Sequence, residues 1–272
     1  MTPPSEIMTT HGLAAGYLPD KLIADRLDLS LSRGDMTLLL GANGRGKSTL
    51  LRTLSGAQPA LAGEVSIAGK SLADTTAADM ARLISLVYTD RTHAGHLTAA
   101  ELVALGRQPY TGFFGRLSAD DRRIVDESLD TVGMLQFSRR YVSTLSDGER
   151  QKIMLARALA QQTPVILLDE PTSFLDIASR IETMQMLHDL AADHGKAILL
   201  STHDIAEALP LATHAWLLVE NDSSNYDSTQ AVSAMITGTV PGLVATGAFD
   251  RLFPRRPVVF DPATMTFQSV NR

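Results

Sequence analysis

A chain of 272 residues, 44% hydrophobic and 20% charged, is long enough to bury a substantial core as one large domain or two small ones. Its 30 acidic and 24 basic residues leave a formal charge of −6, so the surplus of positive charge that nucleic-acid binders use is missing and nucleic acid is not expected as a partner. The absence of cysteine excludes disulfides and thiolate metal sites, and fits a cytosolic protein.

The N-terminus, Met1 to Glu6, has no basic region leading into an apolar core, so no secretory leader is expected. The longest apolar runs, Val165 to Leu168, Ala197 to Leu200 and Ala215 to Val219, fall far short of the roughly 20 residues of a membrane-spanning helix. Any membrane association is therefore expected to go through a partner.

Residues 7 to 40 read as short strands with turns at Gly12, Gly16, Pro19-Asp20 and Arg33-Gly34-Asp35, and the alternation from Leu27 to Ser32 suggests a half-buried strand. Tyr17 follows Gly16, where its ring is either a face on which an adenine stacks or a plain turn tyrosine. Next come Thr37 to Leu40, then Gly41-Ala42-Asn43-Gly44-Arg45-Gly46-Lys47-Ser48-Thr49, then Leu50 to Leu54, which read as strand, glycine-rich loop and helix. Glycines 41, 44 and 46 let successive backbone N–H groups turn toward one point, and Lys47 adds a charge where a helix N-terminus already favours anions. This is the full G-x-x-x-x-G-K-[ST] pattern of a nucleotide-binding P-loop, with the Ser48 hydroxyl placed for a phosphate-bridging Mg²⁺.

Gly63 to Gly69 is a second alternating strand, Asp79 to Ile84 looks helical, and Leu83 to Tyr88 leads into an apolar strand. From about His96 to Thr144 the pattern turns helical and more polar; Ser118 and Asp121 form a capping box ahead of Ile124, Val125, Leu129 and Val132 on one helix face. Residues 96 to 150 therefore read as a helical subdomain inserted into an α/β core. Leu145-Ser146-Asp147-Gly148-Glu149 opens a further helix. Ser146 and Glu149 stand in capping-box spacing, which needs no function; alternatively Ser146 and the Gly148 N–H meet a phosphate presented by another molecule.

The core resumes with Val165 to Leu168, closed by Asp169-Glu170-Pro171. Asp169 is placed to hold Mg²⁺ and Glu170 to polarise the water that attacks a γ-phosphate; an acidic turn capping the next helix is the other reading. That helix is expected to be capped by Asp176, to bury Ile177, Ile181, Met184, Leu187 and Ala191, and to stop at Gly195. Ala197 to Ser201 is the next parallel strand, ending beside His203, an imidazole within reach of a γ-phosphate or a satisfied strand-end histidine. Strand-helix-strand repetition of this kind implies a parallel sheet with ligands at the carboxyl ends of its strands. Beyond Glu220 lie a polar loop, 221 to 228, and a terminal hairpin pairing Val258 to Phe260 with Met265 to Phe267.

Four motifs in this order, Gly41 to Thr49, Leu145 to Glu149, Val165 to Glu170 and His203, resemble the P-loop, signature, second acidic motif and switch histidine of ABC transporter ATPase subunits. Asp176, in Ser173-Phe174-Leu175-Asp176, matches their D-loop, and Tyr17 their adenine-stacking aromatic. Glu101 to Gly112, Leu159-Ala160-Gln161 and Pro171 to Ile177 are similar to the branch that imports ferric siderophores, haem and vitamin B12. The resemblance implies an α/β fold, a P-loop NTPase core with a parallel sheet, an N-terminal antiparallel β subdomain and the inserted helical subdomain. It divides the chain into an ABC ATPase domain at 7–220 and a C-terminal extension at 221–272.

It further implies ATP and Mg²⁺ as ligands and a head-to-tail homodimer, with each ATP between one P-loop and the partner's signature. The dimer is expected on the cytoplasmic face of the inner membrane, bound to permease subunits that are fed by an extracytoplasmic substrate-binding protein. Non-transport ABC ATPases are the alternative, but they carry tandem cassettes, coiled coils or basic surfaces that this chain lacks; export ATPases are disfavoured by Glu101 to Gly112. Three departures stand out. Glu149 replaces the common signature glutamine. Thr89, followed by Asp90, occupies the Q-loop glutamine position, where the pair is expected to substitute for it; a solvated Asp90 with that contact absent is the other reading. The polar segment 221 to 228 and the tail to Arg272 extend beyond the common core.

Overall fold

The N-terminal sheet is built on one long strand, β1 (Glu6–Tyr17), which pairs antiparallel along one edge with β2 (Lys21–Leu27) and β3 (Ser30–Ser32) and along the other with the later strand β5 (Ala62–Ile67). The computed structural model describes residues 6–17, 21–88, 96–112, 114–221, 231–254 and 257–269. Pro19-Asp20, Thr89, Asp90 and most of the polar loop after Glu220 lie outside them.

Gly12 and Gly16 were expected to be turns, yet both lie inside β1, where the register slips between His11 and Ala14 and again between Ala15 and Gly16. A bulge bends a strand without ending it, and glycine suits both. The strand expected over Leu27 to Ser32 is instead interrupted at Asp28 and Leu29. Asp28 accepts a hydrogen bond from the Gly12 N–H at 2.8 Å, and the buried Thr10 hydroxyl donates to Leu27 O while accepting from the Leu29 N–H, so side chains take over the ladder there.

β4 (Met36–Gly41) runs into the glycine-rich loop and α1 (Lys47–Leu54), followed by β5 (Ala62–Ile67), β6 (Lys70–Ser71), α2 (Ala77–Leu83) and β7 (Ile84–Val87). After β7 the chain forms the helices α3 (Ala99–Ala104), α4 (Ala119–Thr131) and α5 (Asp147–Ala160), the last running past the expected bound at 150. Each starts in a capping box, Thr98 with Glu101, Ser118 with Asp121 and Ser146 with Glu149, so three termini are fixed by one local device. The expected face Ile124, Val125, Leu129 and Val132 is buried.

The remaining elements are β8 (Val165–Asp169), α6 (Ile177–Ala192), β9 (Ala197–Ser201), α7 (Ile205–Ala208), β10 (His214–Glu220), β11 (Ser233–Thr239), α8 (Val240–Ala245), β12 (Val258–Asp261) and β13 (Thr266–Ser269). The central sheet has the order β11-β10-β4-β9-β8-β7, parallel except for the antiparallel edge strand β11. Both faces are covered, which is why β8 and β9 read as continuous apolar runs: every residue of both is buried. Leu39, Leu167 and Leu199 pack toward α1 and the N-terminal sheet; Leu38, Leu40 and Leu168 pack toward α3, α4, α5, α6 and the C-terminal elements.

Along α6 the expected apolar stripe is buried only at Met184, Leu187 and Ala191; Ile177 and Ile181 are 69% and 52% exposed. Period 3.6 aligns all five residues on one side of the helix, but only the later turns meet the core. The expected terminal hairpin is present, with Phe260 paired with Phe267, and Phe249 stacks on Phe260 at 4.6 Å inside the larger core cluster.

Two of the three stretches similar to the chelate-importing branch, Glu101 to Gly112 and Leu159 to Gln161, meet in space. Arg107, buried, donates to Asp121 at 2.9 Å, Ala160 O at 2.7 Å and Gln162 at 3.0 Å, while Gln161 donates to the carbonyls of Ala81 and Ile84. Gly106 is required there, since a Cβ would lie 2.3 Å from Arg157 O. The Ser118 hydroxyl and N–H, together with Arg107, lower the Asp121 carboxyl from 3.8 to about 2. A carboxyl depressed in the fold stabilises it above its unfolded pKa and loses that contribution as pH falls through the folded value. Asp121→Asn is therefore expected to flatten the acid limb of the stability curve between about pH 4 and 2, read as urea midpoints against pH.

Candidate functional site

At the carboxyl end of β4 the chain enters the glycine-rich loop, with Gly44 at φ 77° and Gly46 at φ 100° as the N-cap of α1. A side chain at Gly46 would be strained by that φ and would put its Cβ 2.1 Å from Ile23. No side chain caps α1 and no acidic residue stands in its first turn, so its first N–H groups face the cleft without the anion that a cap would supply.

That cleft, about 440 Å³, is lined by Tyr17, Lys21, Ile23, Asn43, Gly44, Gly46, Lys47, Ser48, Thr49, Glu170 and His203. Residues from four separated stretches thus converge on one concavity. A larger cleft of about 630 Å³ opens near Asp25 and Met235, but none of the sequence motifs contributes to it. Gly41, Ala42 and Arg45 do not line the nucleotide-sized cleft; Arg45 pairs with Glu220 at 3.0 Å.

Lys47 is buried and donates to Gly41 O at 2.7 Å. Burial lowers the pKa of its ammonium, and the carboxylates of Glu170 and Asp169 pull it back up. Tyr17, 45% exposed, accepts a hydrogen bond from the Thr49 hydroxyl at 2.9 Å, which holds its ring at the lip of the cleft.

Asp169 ends β8 and Glu170 directly follows it, beside the neighbouring strand β9. The parallel register pairs Asp169 with Ser201, whose hydroxyl donates to Asp169 Oδ1 at 2.6 Å. The Glu170 N–H donates to Ser201 O and Oγ, both at 3.1 Å. Glu170 has φ 50°, a left-handed conformation that a non-glycine residue adopts only where its surroundings enforce it. The Ser173 hydroxyl donates to the Glu170 backbone O and to Oε2, both at 3.1 Å, and Glu170 Oε1 lies 2.5 Å from His203 Nε2. Ser173 and Ser201 are the residues that sequence reasoning missed. Ser173 stands three residues after Glu170 and was legible as a turn, whereas Ser201 needed the strand register.

Ser48 and Asp169 offer hard oxygen donors, and among the described residues no cluster of three or more His, Cys, Asp or Glu is arranged to hold a metal. The arrangement fits Mg²⁺, which keeps waters and substrate phosphates as ligands and takes one or two from protein, better than a metal needing a full protein cage.

Residues 146 to 149 do not line the cleft. Ser146 caps α5, accepting from the Glu149 N–H at 3.2 Å while its own N–H donates to Glu149 at 2.7 Å; that N–H lowers the Glu149 carboxyl pKa. Asp147 pairs with Arg150. Gly148 sits against the turn before α6: a Cβ there would come 2.9 Å from Phe174 O. Asp176 caps α6 through the Ser179 N–H at 2.9 Å, which lowers its own pKa. Within one chain, therefore, the second loop motif and the Asp176 turn touch each other and stand apart from the cleft.

A family model described as ABC transporter matches residues 24–173. The chain is 39% identical over 201 residues to the iron(3+)-hydroxamate import ATP-binding protein FhuC of Bacillus subtilis, covering 74% of each chain. It is 36% identical over 242 residues to the cobalamin import ATP-binding protein BtuD of Halobacterium salinarum, covering 89% of this chain and 58% of that one. Among solved structures it is similar, at 26% identity and a TM-score of 0.69 over 78% of this chain and 94% of the other, to the dimeric post-hydrolysis state of an ATP-binding cassette bound to ADP and phosphate.

Proposed function

Because the chain belongs to the ABC transporter family and is an ATPase of that class, we propose that it is the ATP-hydrolysing subunit of an importer for an iron chelate such as a ferric siderophore. The observation that carries the ATPase half is the convergence of Lys47, Glu170 and His203 on one cleft with an uncapped helix N-terminus. The cargo half is supported by the relative named for iron(3+)-hydroxamate import; the relative named for cobalamin import favours vitamin B12 as the second reading.

In this reading residues 7–220 form the ATPase domain, with the helical subdomain at 96–150, and 221–272 the extension. ATP lies with its adenine on Tyr17 and its phosphates on the N–H groups of 44–49 and on Lys47. Mg²⁺ would be held by Ser48 and Asp169, neutralising phosphate charge. Glu170 accepts a proton from the attacking water, and His203 stands at the γ-phosphate.

Ser146 and Gly148 reach the phosphates of the partner subunit's ATP, which gives a reason for two motifs that lie outside their own chain's cleft. The dimer sits on the cytoplasmic face of the inner membrane, against permease subunits served by an extracytoplasmic binding protein, with Thr89 and Asp90 in the Q-loop role. No helix among the described residues is long and apolar enough to cross a membrane, so attachment falls to the permease.

Isolation of the intact complex with its binding protein, followed by identification of the bound ligand, tests the cargo; recovery of a cobalamin or haem in place of an iron chelate overturns it. Ser146→Arg tests the trans contact. It should leave ATP bound and turnover abolished, because a bulky cation blocks the partner's γ-phosphate. A cap alone would instead lose about 1 kcal/mol of stability with turnover intact, so thermal unfolding and ATPase rate on one preparation decide between the two.

A further inference from the structure

The loop that carries His203 is tied to the loop that carries Glu170 at a second point, and a cation from α6 closes the tie. Asp204 uses each carboxylate oxygen on a different element. Oδ2 accepts from the hydroxyl of the buried Thr172 at 2.8 Å, and Oδ1 accepts from Arg180 Nη1 at 2.6 Å. Thr172 lies two residues after Glu170, and Asp204 directly follows His203. The contacts Glu170–His203 and Thr172–Asp204 therefore join the same two segments like successive rungs.

Arg180 also reaches back: its Nη2 donates to Leu175 O at 3.4 Å, in the turn that precedes Asp176. One guanidinium thus spans the Leu175–Asp176 turn and the His203–Asp204 loop. Its Nε is buried with no hydrogen-bond partner among the described residues, so the ion pair is single-ended where a forked one would hold better.

We propose that Arg180 and Asp204 are a positioning pair, which holds His203 against Glu170 and makes that contact follow the Leu175–Asp176 turn. The proposal rests on the reading of Glu170 and His203 as the groups that act at the γ-phosphate, and on Asp176 facing the partner subunit. Movement of that turn when a partner docks shifts Arg180, then Asp204, then the imidazole. Neither Arg180 nor Asp204 lines the cleft, so nucleotide affinity does not depend on them.

The test is steady-state ATPase kinetics and fluorescent-nucleotide titration on the full chain. Arg180→Gln and Asp204→Asn should each lower kcat about 10- to 100-fold, the scale of a displaced catalytic group, with nucleotide Kd unchanged within about twofold. Because the contact to Asp204 uses a single nitrogen, Arg180→Lys should recover most of the turnover. The double variant should be no slower than the slower single one, since both remove one tie.

Should a single variant fail to fold, Thr172→Val reads the same tie through the loss of one hydroxyl, with the same fall in kcat. Wild-type kcat in these variants, multiplicative losses in the double variant, or kcat and nucleotide affinity falling together would overturn the proposal. Glu170→Gln measured alongside separates the two levels. If it is dead while the Arg180 and Asp204 variants run normally, only the positioning pair fails; if it too runs normally, the reading of the site fails and the pair with it.

Discussion

Lys47→Ala should abolish most ATP binding. In the folded chain the Lys47 ammonium is buried, held by Gly41 O at 2.7 Å, with the carboxylates of Glu170 and Asp169 acting on its charge. Burial disfavours its charged form, so without a nucleotide this lysine is an electrostatic cost that the two carboxylates only partly offset. A polyphosphate in the cleft supplies the missing counter-charge. Losing that charge-assisted contact costs about 3 kcal/mol, or roughly 100-fold in Kd.

The same reasoning keeps the apo variant folded, because removing a buried charge relieves a desolvation cost. Thermal unfolding with and without nucleotide makes the expectation sharp. A ligand at about 100 times its Kd raises wild-type stability by about 2.7 kcal/mol, whereas at that ligand concentration the variant should gain only a few tenths. An unchanged ATP-induced shift in Lys47→Ala would end the assignment of the 41–49 loop.

What was legible in the sequence was mostly local. The glycine spacing around Lys47, the capping boxes at Ser118 and Ser146 and the apolar runs of β8 and β9 are each decided within a few residues, and each was placed correctly; the box at Thr98 was equally local but went unread. β1 was not, because Gly12 and Gly16 signal a break in the chain whether the outcome is a turn or a bulge, and only its neighbours β2 and β5 decide. The exposed Ile177 and Ile181 show a related limit: periodicity names the face of a helix but not which turns meet the core.

At the candidate site, the glycine-rich loop and its lysine were visible, while the support around Glu170 was not. Ser201 reaches Asp169 and the Glu170 N–H across 32 and 31 residues of sequence through parallel strand register, and Arg180 reaches Asp204 across 24. Such contacts belong to the tertiary arrangement and leave no local spacing to read.

The other large effect is expected at Glu170, where Glu170→Gln should keep ATP binding and lose turnover. The residue stands at φ 50°, held by Ser201 through its N–H and by Ser173 through its backbone carbonyl. Strain at a non-glycine residue costs of the order of 1–3 kcal/mol and persists only where surrounding contacts enforce it. Glutamine preserves size and every backbone contact, and its amide oxygen still accepts from Ser173 Oγ. It removes the negative charge that, in the proposed reading, accepts a proton from water.

If Glu170 is only a structural corner, the substitution should leave the rate nearly unchanged. If it is the base, turnover should fall about 10²- to 10⁴-fold. Nucleotide affinity should hold or improve, because a carboxylate that would repel the incoming phosphates is gone. With hydrolysis blocked, the nucleotide-bound dimer has no route back to separate subunits and should accumulate in ATP and Mg²⁺ as a species of doubled mass on sizing. Continued hydrolysis with only monomer present would show that the strained corner serves the fold and that another group activates the water.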